Sequence, residues 1–241
     1  MELWNATAQL RIPSPVSAAP REKLDPAVYT PVRRVKNGFF DKVLLQGPDG
    51  RFLFKPDQSK ENGDGGVGFH HVEGRKALAY ARLAELLGVD TPEIRLAEYE
   101  GRTGSLQRWL ECPTIAELRY GIAAEEFRHI SRDLRFRVSQ ERISIAARVA
   151  CITDYDAHSD RNTLVDTRDN HLVAIDNDLS FAPLARIGTA PVSNAQMRLL
   201  ARLKGSPKRL DDGFDGLLTP AEISATHQRI ARLFDWGSTR T

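Results

Sequence analysis

Two turn signals leave the first third of this chain little choice of topology. Asn37-Gly38 follows residues 30–36 and precedes residues 39–46, both of which read as strands, and Asn-Gly is the pair that closes a tight antiparallel hairpin most readily. Gly47-Pro48-Asp49-Gly50 then turns the chain into a third strand, residues 51–55. Three antiparallel strands are therefore expected before any helix, with Lys55 ending the apolar run Phe52-Leu53-Phe54. A lysine there packs its stem inward and carries its ammonium to the strand end, where it can meet a phosphate.

Residues 59–68, SKENGDGGVG, read as a flexible polar loop that lacks the order of parts of a nucleotide-binding P-loop. From Val72 to Leu87 the apolar residues recur at helical spacing, and Gly88 is placed to end the helix. Two further strands, 93–99 and 105–110, flank a glycine turn. Beyond Pro113 the pattern turns helical, over residues 123–134 and about 140–153. Two short strands follow, 163–166 and 171–175, and then helices over 193–204 and 220–234, with Thr219 as N-cap ahead of Pro220.

Carboxylates crowd the segment Asp154 to Asp178, around those two short strands. Asp176 follows an apolar strand, so its side chain leaves the sheet end as an oxygen ligand of the kind a hard cation such as Mg²⁺ prefers. Asp160, Asn162 and Asp176 together offer a base and metal oxygens. Asp169 and Asn170 fit a plain turn.

Composition narrows the partners. With 34 basic and 32 acidic residues the formal charge is +2, too balanced for a nucleic-acid binder driven by a phosphate-facing field. Cys112 and Cys151 are the two cysteines and have no metal-binding spacing, which fits a reducing compartment. No apolar run approaches the ~20 residues of a spanning helix, and the first residues lack the pattern of a Sec signal, so no stable membrane insertion is expected. Residues 1–29 are expected to be a mobile arm, 30–111 a first lobe and 112–241 a second. The Ser/Pro/Ala-rich stretch within the arm is equally compatible with an uncleaved export signal, so the expected location is the cytoplasm, or a host cytosol reached by a non-Sec route.

This order of parts resembles the kinase-like fold, in its atypical branch of phosphatidylinositol 3- and 4-kinases, actin-fragmin kinase and HipA-like kinases. The carrying residues are Lys55, the run Ala79 to Gly88 with Pro92, Gly104-Ser-Leu-Gln-Arg-Trp-Leu110, Asp154-Tyr155, Ser159-Asp-Arg161 and Ala174-Ile-Asp176. The resemblance spans roughly Val32 to Asp235. It implies an α+β, bilobal enzyme: an antiparallel N-lobe sheet with one helix, and a mostly helical C-lobe with a short catalytic hairpin. The expected activity is transfer of the γ-phosphoryl of ATP to a hydroxyl, with ATP and Mg²⁺ as cofactors.

The same resemblance assigns roles. Lys55 contacts the ATP phosphates, Asn37 and Gly38 lie in the turn that covers them, and Gln107, Trp109 and Leu110 form the adenine hinge. Asn162 and Asp176 hold the metal, Asp160 or Asp156 is the base, and Arg161 is an electrostatic partner. Two departures stand out. The family glutamate that pairs with the lysine is replaced by Lys76, leaving Glu73, one turn earlier, as substitute. Asn162 lies two residues after Asp160 and six after Asp156, where the family spacing is five, and this leaves the base open between the two. A protein acceptor, including a host protein, is expected from a monomer of effector type. A lipid acceptor or a catalytically silent nucleotide-binding scaffold are the alternatives.

Overall fold

The computed structural model describes residues 20–35, 41–61, 69–121, 124–151, 160–176, 180–181 and 191–239. Its first half is dominated by a six-stranded sheet. The strands are β1 (Glu22–Lys23), β2 (Thr30–Val35), β3 (Lys42–Gly47), β4 (Gly50–Pro56), β7 (Ile94–Tyr99) and β8 (Arg102–Arg108), and they lie in the order β1-β7-β8-β4-β3-β2. β2, β3 and β4 form the meander that the turn signals require, and β4 then pairs with β8, Lys55 opposite Ser105.

The pleat divides the sheet residues between two faces. Val43, Leu45, Phe52, Phe54, Ala97, Tyr99 and Leu106 form a small core on one face together with Leu24 and Tyr29. Tyr29 meets the Phe52 ring edge-on at 6.0 Å, and the guanidinium groups of Arg95 and Arg108 lie over the same ring at 5.3 and 5.6 Å. The opposite parity, with Leu44, Lys55, Ser105 and Gln107, faces the rest of the molecule.

The structure corrects two expectations. The arm does not run to residue 29: Glu22 and Lys23 pair in parallel with β7, and Leu24 and Tyr29 are buried in the sheet core. A strand of two residues paired so far along the chain has no periodicity to reveal it. The loop expected over residues 59–68 is flanked by paired backbone, β5 (Gln58–Glu61) against β6 (Phe69–Val72), a short hairpin whose glycine-rich tip falls outside the described residues.

Helix α1 (Gly74–Leu87) lies across β7 and β8 and ends on Gly88, whose φ of 65° lets its N–H reach back to Ala84 and Glu85. A side chain at Gly74 would meet the backbone of Gly104 and Ser105 at 2.6–2.8 Å, so the helix starts in direct contact with β8. Its buried residues Ala79, Tyr80, Leu83, Ala84 and Leu87 belong to the larger core, shared with the second lobe.

That lobe contains α2 (Ile115–Tyr120), α3 (Ala124–Ile130), α4 (Leu134–Ala150), the hairpin β9 (Thr163–Asp166) and β10 (His171–Ala174), α5 (Asn194–Lys204), α6 (Pro207–Phe214) and α7 (Pro220–Ser238). Capping boxes start α2 at Thr114, α5 at Ser193 and α7 at Thr219. Among the described residues no helix is long and apolar enough to cross a membrane. The architecture is α+β, a largely antiparallel sheet with one helix joined to a mainly helical lobe.

Candidate active site

β4 ends at the junction of the two lobes, and the pleat turns Lys55 toward the second lobe, where its side chain is 4% exposed. Burying an ammonium is costly unless an anion meets it. Asp176 supplies one: its Oδ1 lies 2.5 Å from Lys55 Nζ. Asp176 stands beyond β10 with a φ of 61°, a left-handed conformation that a non-glycine residue adopts seldom and that aspartate tolerates better than most. Sheet and hairpin thus meet at Asp176.

A second cation shares the same carboxylate. Lys42, at the start of β3, places its Nζ 3.0 Å from Asp176 Oδ1 and 3.3 Å from Oδ2. Burial alone would raise the Asp176 carboxyl pKa, but the Lys55 and Lys42 charges and their hydrogen bonds outweigh it and hold the group well below the usual carboxylate range. The sequence reading missed Lys42. Its signal was parity: Val43 lies on the small-core face with Phe54, which turns Lys42 to the face of Lys55.

Asn162 sits just before β9, and its carbonyl accepts from the Ile175 N–H at 2.9 Å, so the segments carrying Asn162 and Asp176 run side by side at one end of the hairpin. A carboxylate and an amide there are oxygen donors of the kind a hard divalent ion takes, although both Asp176 oxygens are occupied by the two ammonium groups. Asp160, two residues upstream, is held twice. Its carbonyl accepts from Ala116 N–H at 2.8 Å, and its carboxylate meets Arg119 Nη1 at 2.5 Å. Arg161, expected as the electrostatic partner, is exposed; Arg119 on α2 is the guanidinium paired with Asp160. No local pattern announced this contact, which spans 41 residues.

Glu73 does not reach Lys55. Its carboxylate meets Arg75 Nε at 2.5 Å and Lys76 Nζ at 2.9 Å. Arg75 in turn grips Glu222 of α7 through two N–H···O contacts, 2.9 and 3.2 Å, and donates to the Leu217 carbonyl at 2.8 Å. The physical reason is competition: two cations in the first turn of α1 lie nearer to Glu73 than the end of β4 does. The hinge expectation also needs a change. Gln107 is buried on the Lys55 face, but the Trp109 N–H is committed to the Arg51 carbonyl at 2.8 Å and is not free for adenine, while Leu110 is half-buried beyond the strand. Asn37, Gly38 and Asp156 lie outside the described residues.

Among the described residues, the acidic crowding of the sequence resolves into two separate sets. Asp166, Asp169 and His171 gather at the other end of the hairpin, their ligand atoms within 4.8 Å of one another. There Arg168 holds Asp166 by side-chain and backbone hydrogen bonds, keeping its carboxyl well below the usual range, and His171 meets Asp169.

No protein-family profile matches this sequence, and no curated protein matches it significantly. Solved structures do. The Helicobacter pylori proinflammatory kinase CtkA superposes with a TM-score of 0.61 at 10% identity, covering 92% of this chain and 97% of that one. HipA, solved with HipB and operator DNA from the Shewanella oneidensis MR-1 toxin–antitoxin system, gives 0.43 at 11% identity, over 92% of this chain and 66% of that one. The chain has the fold of the CtkA kinase over nearly its whole length.

Proposed function

We propose that the chain is an ATP-dependent phosphotransferase that moves the γ-phosphoryl group to a hydroxyl, with a serine or threonine of a protein as acceptor. The observation that carries this reading is the meeting of Lys55 from the sheet with Asp176 from the hairpin, an ammonium of the kind that binds phosphate beside a carboxylate of the kind that binds a hard cation. The kinase-like fold supports it.

Lys55 orients the phosphates, its stem fixed by the strand so that little side-chain entropy is lost on binding. Asp176 and Asn162 would hold Mg²⁺, which when bound would neutralise the charge that builds on the phosphoryl oxygens. Asp160 orients the acceptor hydroxyl and takes its proton, and Arg119 fixes the carboxylate for that task. The cytosol, of the cell that makes the chain or of a host, is the compartment this chemistry fits.

The test is transfer of labelled γ-phosphate from ATP to a panel of protein substrates and to phosphatidylinositol vesicles, with Lys55→Ala as control. Protein labelling that is lost in Lys55→Ala is the expected result. Labelling confined to the lipid moves the acceptor to the alternative class. ATP binding without transfer to any acceptor favours a silent nucleotide-binding module, a second reading prompted by Glu73, whose bonds go to Arg75 and Lys76 and not to Lys55.

A further inference from the structure

We propose that Lys42 is a second phosphate-binding residue, and that with Lys55 it closes Asp176 to a divalent cation until a polyphosphate arrives. The proposal rests on the phosphotransfer reading above and concerns the order in which that site fills.

Lys42 stands at the mouth of the site. It pairs with Val35, the last residue of β2, at the end of the β2–β3 ladder. Its side chain is 15% exposed and reaches across to the hairpin, 134 residues away in sequence. A surface lysine would keep its ammonium in water. This one gives up most of its hydration for a carboxylate that Lys55 already holds.

The pairing at Asp176 sets its preference for ligands. Two ammonium groups share the Asp176 carboxylate, so both of its oxygens already accept from nitrogen. A divalent cation entering alone would approach two ammonium groups and would have to displace both from the carboxylate. A polyphosphate reverses the balance. It offers each lysine a stronger anion, draws both away and frees the Asp176 oxygens for the metal. Metal and anion then bind with positive coupling, and by linkage each tightens the other by the same factor.

The experiment uses the full chain, Mn²⁺ followed by electron paramagnetic resonance of the free ion, and inorganic tripolyphosphate followed by calorimetry. In the wild type, Mn²⁺ alone binds weakly and tripolyphosphate tightens it. Lys42→Met removes one charge-assisted contact, so tripolyphosphate affinity falls about 10-fold or more, Mn²⁺ binding without anion tightens, and the coupling shrinks. Lys42→Arg keeps the charge and stays near wild type, which guards against a folding defect in the methionine variant. If the wild type binds both ligands but Lys42→Met leaves either affinity unchanged, the role of Lys42 is overturned and the phosphotransfer reading stands. If the wild type binds neither, the phosphotransfer reading falls and Lys42 falls with it.

Discussion

Glu222→Gln tests how the two lobes are held together. Glu222 lies in the first turn of α7, where its carboxylate closes the capping box on Thr219 and takes both nitrogens of the Arg75 fork. The side chains are 8% and 15% exposed, so solvent screens the pair little. Breaking a buried pair by removing one partner costs about 3–5 kcal/mol, but glutamine keeps the shape and an acceptor oxygen, and Glu73 still holds Arg75, so about 2–3 kcal/mol is expected. With a urea slope near the upper end of the usual range, about 3 kcal/mol per molar, the unfolding midpoint should fall by roughly 1 M at pH 7.

The pH dependence has a definite sign. Burial alone would raise the Glu222 pKa; the hydrogen bonds from Arg75 and the Thr219 N–H, with the Arg75 charge, bring it below its ordinary value. A depressed folded pKa contributes stability that is complete above the unfolded value of about 4.3 and is lost as pH falls through the folded one. The gap between wild type and Glu222→Gln should therefore be full at pH 7 and narrow below about pH 4.3. Urea titrations of both proteins from pH 7 to pH 3 measure it. A gap absent at neutral pH, or one that stays constant down to pH 3, refutes the reasoning.

A Cβ at Gly104 would lie 2.2 Å from the Lys55 carbonyl oxygen and 2.7 Å from Pro56 Cα, backbone atoms that no rotamer change can move. Gly104→Ala should cost about 1–3 kcal/mol and weaken ATP binding by shifting the end of β4, as read by thermal melting and calorimetry; an unchanged melting temperature counts against the close packing. Asp160→Asn should lower kcat about 10²-fold or more with little change in ATP affinity, measured by single-turnover transfer beside direct binding. If that variant is nearly normal while Asp156→Asn is inactive, the base is Asp156.

Local chemistry was legible in the sequence and long-range pairing was not. Gly88 as a helix end, Thr219 as a cap, and the hairpin starting at Thr163 and His171 all come from signals carried within a few residues. The short helices α2 and α6 span too few turns to show a periodic stripe, though Thr114 and Glu117 carried a capping-box pattern for α2. At the site, Lys55 and Asp176 were singled out from strand ends, and the structure brings them together. Lys42 and Arg119 were not, because each owes its place to a partner 134 or 41 residues away, a relation no local window contains. Glu73 was misplaced for the opposite reason: its nearest competitors, Arg75 and Lys76, were local and were given too little weight.

Helix α1 has a consequence for how the chain is made. The sheet that it crosses is complete once Arg108 has left the ribosome, yet the apolar side of α1 is walled by α4 and α6, the last of which ends at Phe214. Because domains gain their order from the N-terminus onward during synthesis, Tyr80, Leu83 and Leu87 wait without their final neighbours until Phe214 has emerged. A nascent chain halted after the sheet and before α6 presents an apolar helix face, the kind of surface that chaperones bind.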